Sequence, residues 1–193
     1  MFKEEVIMRK DLGVKPAIYP MPVLVIGTYD ENGNANAMTA AWAGISEFNE
    51  ISICIDDGHK TAENVVKSGA FTVSVTNENN LLAADFVGVV SGYNNPDKLD
   101  KTGWTVKKSE RVNAPYFEEL PMTLECKLKS YTKETCRLVG EIVNVSADES
   151  ILDEEGRITL AKFSPVAYDP VNHTYHTIGE KIADAYTYGL KLK

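Results

Sequence analysis

Cysteine is scarce in this chain: three residues (Cys54, Cys126 and Cys136) among 193, with no CxxC pair. That excludes a disulfide-built scaffold and a zinc site of the usual spacing, and it points to a reduced, cytoplasmic setting. Positive charge is also short. Twenty Lys and Arg stand against 28 Asp and Glu, a net of −8, and no Lys/Arg cluster occurs. Neither a nucleic acid nor an anionic membrane is therefore an expected partner. No apolar run approaches a membrane span, and residues 1–6 are charged and lack the apolar core of a signal peptide. The signatures GxGxxG, GxxxxGK(S/T) and GxSxG are missing, so no Rossmann site, P-loop or nucleophile elbow is indicated. Among the three histidines, His173 and His176 fall on opposite faces of an extended-looking segment and His59 lies in another loop. No carboxylate joins them at ligand spacing, and no metal site is expected.

What is present fits one ordinary globular domain over residues 1–193, with 44% apolar and 25% charged residues. Residues 1–19 form a lead-in, because Pro16, Pro20 and Pro22 deny a continuous helix there. The chain is organised around Asn34-Ala35-Asn36-Ala37-Met38-Thr39-Ala40-Ala41-Trp42. The apolar run Val23–Ile26 leads into the turn Asp30-Glu31-Asn32-Gly33, where Asn-Gly accepts positive φ and lets the chain reverse. The returning arm is nearly all small residues. A core-filling strand would be richer in branched and aromatic side chains. Two readings fit. The arm is an edge strand with Trp42 as a core anchor, or it is a platform on which a flat heterocycle lies, with Asn36 and Thr39 adding polar contacts.

The rest of the chain alternates in short strands: Val23–Tyr29, Asn36–Ala43, Ile51–Ile55, Phe71–Val75, and a long pair, Pro121–Ser130 and Thr135–Ala147. The last has apolar groups on both faces, which predicts burial on both sides or an irregularity at Gly140. Helices are predicted over Thr61–Ser68, stopped by Gly69, and over Leu81–Val90, with a further start at Asn95-Pro96. Many strands and few short helices give a mainly β fold, a barrel decorated by helices.

Two stretches can carry chemistry. Lys60-Thr61…Asn64 sits where a loop becomes a helix, where unpaired N–H groups and the helix dipole attract anions; the simpler reading is a plain N-cap at Thr61 beside a solvated lysine. Ser91–Lys98 is a polar loop that can bring Lys98 over a ligand, or is an ordinary helix start. Cys126 and Cys136 flank a hairpin; they face each other if the turn centres on Tyr131 and do not if it centres on Lys133-Glu134. They are expected to be free thiols without a catalytic role.

Taken in order, several segments resemble the flavin reductase-like proteins of the FMN-binding split-barrel fold, most closely the flavoredoxin group. They are Pro20–Val25, Gly33–Trp42, Lys60-Thr61…Asn64, Asp85-Phe86…Ser91-Gly92…Asp97-Lys98…Thr102-Gly103, Gly140-Glu141-Ile142 and Tyr175–Glu180. The resemblance implies a six-stranded antiparallel split β-barrel with a few flanking helices, forming a homodimer with FMN at the subunit interface. It implies that Asn36, Ala37, Met38, Thr39, Ala40, Ala41 and Trp42 line the isoalloxazine and ribityl region. Thr61 with Lys60 and Asn64 would hold the phosphate, and Lys98 and Tyr168 would add contacts. The activity implied is an oxidoreductase that takes electrons from NAD(P)H and passes them to free flavin or a redox partner protein; the alternative is an electron carrier with tightly held FMN. Family members often carry a His where Thr135-Cys136-Arg137 stands here, so that role is not carried over. No catalytic residue is singled out, since a flavin supplies the hydride chemistry itself.

Overall fold

The computed structural model describes residues 8–193, so the reading of residues 1–6 and the start of the lead-in lie outside it. Its main sheet is built from β2 (Leu24–Tyr29), β3 (Ala35–Ala40), β4 (Ala43–Glu47), β5 (Glu50–Cys54), β6 (Ala70–Val75), β9 (Met122–Thr132) and β10 (Arg137–Ala147). The order is β3-β2-β6-β9-β10-β5-β4, antiparallel throughout.

The two edge strands, β3 and β4, are separated in the chain only by Ala41 and Trp42. Across a flat seven-strand sheet the edges stand roughly 29 Å apart at about 4.8 Å per step. Three Cα–Cα steps span at most about 11 Å. The sheet must therefore curl until its edges meet, which makes a barrel. β3 and β4 are two halves of one bent strand, and the barrel then has the expected six. The predicted strand Asn36–Ala43 is divided because the chain kinks at Trp42, where the Ala43 N–H donates to the Ala41 carbonyl at 3.0 Å.

Leu24, Ile26, Met38, Ile51, Ile53, Phe71, Val73, Leu124 and Leu138 fill the barrel. Helix α1 (Lys60–Ser68) contributes Ala62 and Val65 to the same core. On the outer face of β2 and β3, Val25 and Ala37 pack with Ala84 and Val87 of helix α2 (Leu81–Val89), and with Leu99, Trp104 and Phe117. The hairpin of β7 (Val106–Lys108) and β8 (Pro115–Phe117) flanks this second core. A smaller sheet joins β1 (Met21–Pro22), β11 (Val166–Asp169) and β12 (Thr174–Thr177) in the order β1-β11-β12. A single helical turn, α3 (Leu160–Phe163), precedes β11. The start read at Asn95-Pro96 becomes a 3₁₀ turn at Lys98–Lys101, because the Asn95 carbonyl first accepts the Lys98 N–H at 3.2 Å. Among the described residues no helix is long and apolar enough to cross a membrane.

The β9–β10 turn is the later of the two alternatives, a 3₁₀ turn at Lys133–Thr135. Cys126 therefore pairs with Ile142 while Cys136 sits in the turn at φ 52°, and the two do not face each other. The predicted irregularity in β10 is present as register shifts at Val139/Gly140 and Ile142/Asn144. At the first of them packing requires glycine: a Cβ on Gly140 would lie 2.3 Å from Cζ of the fully buried Phe71. Gly140→Ala should therefore lose roughly 1–3 kcal/mol of unfolding free energy, as overpacked cores do. Urea denaturation showing no loss would mean that Phe71 has room to move.

Candidate functional site

Strand alternation divides β3 between two neighbours. Asn36, Met38 and Ala40 turn to the barrel side. There the Asn36 amide donates to Oγ1 of Thr61 at 2.9 Å, and Met38 and Ala40 enter the core. Ala37 and Thr39 turn to α2, where Ala37 is fully buried and the Thr39 hydroxyl donates to the Ala84 carbonyl. The C-terminal end of α2 and the loop after it press directly on this strand. A Cβ on Gly88 would be 3.0 Å from that of Thr39, and one on Gly92 would be 2.4 Å from Asn36 Oδ1. Only glycine lets the backbone come so near.

Two cavities open beside the strand and share Gly88 and Val89. The first, about 140 Å³, is lined by Asn36, Met38, His59, Lys60, Thr61, Ser91, Gly92 and Lys98. The first-turn N–H groups of α1 have no acceptor four residues back in the helix, and the dipole is positive there. The helix begins one residue earlier than predicted, with His59 as N-cap and no side-chain cap bond. Thr61 thus stands inside the first turn, 1% exposed, and is not the cap.

Lys98 is almost fully buried, and its ammonium donates to the carbonyls of Val87 at 2.8 Å and Val90 at 2.7 Å. Those carbonyls belong to the negative end of α2. An ammonium has three donors, so one remains for the cavity it lines. Burial pulls its pKa down from 10.5 to about 8. Lys60 pairs with Glu63 at 3.2 Å and lies over the Tyr93 ring, 5.4 Å from its centre. Glu63 is held down at about 2 by Lys67, then by the Tyr93 hydroxyl and Lys60.

The second cavity, about 330 Å³, is lined by Val23, Thr39, Ala41, Asp85, Gly88, Val89, Tyr168, His173 and Tyr175. Tyr168 and Tyr175 are cross-strand partners on β11 and β12, with ring centres 5.7 Å apart. The Tyr175 hydroxyl donates to Asp85 at 2.6 Å, and the Tyr168 hydroxyl meets His173 Nδ1 at 2.8 Å. Burial, then the Asp85 carboxylate, pushes the Tyr175 phenol up. One end of the cleft is therefore cationic and rich in donors; the other is aromatic and flat.

The structure brings Asn36, Met38, Lys60, Thr61 and Lys98 together at one end and Thr39, Ala41 and Tyr168 at the other. Four predicted residues stand apart. Ala37 and Ala40 have buried side chains and can offer a ligand only backbone. Asn64 is buried, and its amide donates to Thr28 at 3.0 Å, fixing α1 to β2. Trp42 is 55% exposed at the kink, so it is neither the core anchor read from the sequence nor part of either cavity lining. Sequence reasoning passed over Asp85, His173 and Tyr175 as site residues, because the Asp85–Tyr175 contact joins positions 90 apart. Among the described residues no group of His, Cys, Asp or Glu could hold a metal. The three cysteines are free; burial and Glu125 push the Cys126 thiol up to about 12, and burial and Asp56 raise that of Cys136.

A curled antiparallel barrel, bent at its seam around a cleft with one anion-accepting and one aromatic end, defines a split-barrel protein. The chain belongs to the flavin reductase like domain family, whose model matches residues 17–177. It is similar to a flavoredoxin of Desulfovibrio vulgaris, with 37% identity and a TM-score of 0.90 over 94% of this chain and all of that one. A flavoredoxin from Methanosarcina acetivorans is 26% identical, with a TM-score of 0.84 over 96% of this chain and 100% of that one. An FMN-binding domain of a flavin reductases-like enzyme from Shewanella baltica shares the fold at 22% identity and a TM-score of 0.76, over 84% of this chain and 88% of that one.

The Lys98 shift has a sign that can be checked. Its folded pKa lies below its ordinary value, so between pH 8 and 10.5 the unfolded chain binds the extra proton. This lysine therefore makes stability rise with pH across that window. The difference between wild type and Lys98→Met, from urea melts at pH 7.5 and 10, should show the rise in wild type only. Parallel curves would place the lysine in water.

Proposed function

We propose that the chain is an FMN-binding oxidoreductase of the flavin reductase type, which takes hydride from NAD(P)H and passes electrons to free flavin or to an acceptor protein. The two-ended cleft carries this reading. FMN joins a dianionic phosphate to a flat ring system, and the cavities offer a matching pair of environments in the same order along β3. At the first, the α1 N–H groups, the Thr61 hydroxyl and the ammonium groups of Lys98 and Lys60 receive the phosphate. Local donors of this kind are what a chain of net charge −8 needs to hold an anion. At the second, Thr39, the backbone of Ala41 and the Tyr168 ring meet the ring system. Bound FMN would supply the hydride and electron chemistry. The protein's task is to orient it and to limit its contact with water.

Likeness to flavoredoxin favours a second reading, an electron carrier whose FMN is not reduced by NAD(P)H. Anaerobic mixing of the FMN-loaded protein with NADH and NADPH separates the two. Bleaching of the flavin band within seconds supports the reductase; reduction by dithionite alone supports the carrier. A chain that takes up no FMN would refute both. In the same titrations Thr61→Ala should weaken FMN by about tenfold or more, the worth of a hydrogen bond to a charged acceptor, and leave riboflavin, which lacks the phosphate, nearly unchanged. Equal losses would place the phosphate elsewhere.

Assembly belongs to the same proposal. Trp42 at the kink, Ile45 on β4 and Phe48 in the β4–β5 turn are 55%, 65% and 97% exposed, and Ile182, Tyr186 and Leu192 are 97%, 100% and 95% exposed in the C-terminal segment. Exposed apolar side chains in such number support a homodimer with FMN at the subunit interface. The setting we infer is cytoplasmic, in keeping with three free thiols. Sedimentation should give twice the 21.3 kDa chain mass; a monomer that still holds FMN tightly would refute the interface site.

A further inference from the structure

The β11–β12 hairpin reaches α2 through one side-chain hydrogen bond among the described residues, that from Tyr175 to Asp85. The remaining polar contacts of the hairpin run elsewhere. Tyr19 donates to Asp169 at 3.0 Å, and the Asn172 amide donates to Asp169 at 2.7 Å. Thr174 meets His176 at 2.8 Å. Asp85 on α2 and Tyr175 on β12 both line the 330 Å³ cavity, so their bond joins the two elements at its lining. Tyr168, the cross-strand partner of Tyr175, is fixed at its other end by His173, which holds a positive φ of 56° in the hairpin turn.

We infer that Asp85 and Tyr175 form a clasp that sets the ring end of the flavin site, with Asp85 a positioning residue acting through Tyr175 on the paired tyrosine rings. The inference rests on the FMN reading above and extends it to three residues with no assigned role: Asp85, Tyr175 and His173. With the clasp closed, hairpin and helix hold one spacing, and the tyrosine pair presents a fixed aromatic wall to a planar ligand. Opened, the hairpin keeps its ladder to β1 but loses its tie to α2, and the wall no longer has a set distance from Thr39 and Ala41. Because the clasp is at the ring end, it acts on any flavin ring, whatever that ring's tail carries. Geometry is what matters here, since the carboxylate serves only as an acceptor. An amide oxygen at the same place can take the same bond.

The test uses the full-length protein with FMN and with riboflavin, read by binding titration and by the fluorescence of the bound flavin. Tyr175→Phe keeps the ring and loses the bond; Asp85→Ala removes the acceptor; Asp85→Asn keeps an acceptor. Tyr175→Phe and Asp85→Ala should each weaken FMN and riboflavin by the same factor, about three- to tenfold for a part-exposed bond to a charged group. Both should also recover flavin emission that the tyrosine wall quenches in wild type. The double variant should be no worse than either single one, because both remove the same bond. Asp85→Asn should lose less than Asp85→Ala, because its amide oxygen still accepts the bond, though a neutral acceptor holds it less strongly. Losses confined to FMN, additive losses in the double variant, or full affinity and quenching in Asp85→Ala would each overturn the clasp. Wild type that binds neither flavin would instead overturn the FMN reading, and the clasp with it. Melting temperatures of the flavin-free variants provide the structural control: a drop large enough to unfold the hairpin would make the contact a fold determinant, and that too would overturn the inference.

Discussion

One stretch of chain, from Ala35 to Glu47, must belong to both edges of the same sheet. Everything else in the structure follows from that demand. The sheet curls because two residues cannot span its width. The curl encloses the main core, and at the seam where the strand bends Trp42 is left outside it. The cleft lies along β3 on the approach to that seam.

The small side chains of β3 serve this position in a way that composition alone does not reveal. Ala37 lets α2 settle onto the outer face, while Ala40 lets the barrel close without excess volume. Asn36 and Thr39, the two polar residues, point to opposite sides and are each satisfied at once, one by Thr61 and one by the α2 backbone. A strand of branched residues would push α2 and its loop away, and the close approach at Gly88 and Gly92 would be lost. The stretch readable from the sequence as an edge strand or as a ligand platform is a two-faced edge strand, with a different environment on each side.

Electrostatics follow the same division. The N-terminus of α1 and the C-terminus of α2 meet near one cavity, and the buried ammonium of Lys98 settles on the negative end of the second helix. It offsets the α2 carbonyls while keeping positive charge beside the positive end of α1. Burial of an ammonium is costly, and the fall of its pKa to about 8 reports that cost. At the other end an acid and a phenol share a proton-bearing bond. Positive charge and free donors thereby gather at one place along β3 and aromatic rings at the other.

Much of this was legible in the sequence. Alternation and turn chemistry gave β2, β5, β6 and the long β9–β10 pair, and Gly140 marked the irregularity, because these signals are local. The segment order resembling flavin reductase-like proteins pointed to the barrel and to Asn36, Thr61, Lys98 and Tyr168, which the fold does bring to the cleft. Other points needed three dimensions. Trp42 looks like a core residue until the kink turns it outward, and only the fold shows that Asn64 lines neither cavity and donates its amide to Thr28. Asp85 and Tyr175 fall in two separate segments of the family resemblance, and nothing in the linear chain joins them. Local sequence sets which φ, ψ and faces a segment prefers; which side chains meet across 90 residues is decided only when the sheet closes and brings the hairpin against α2.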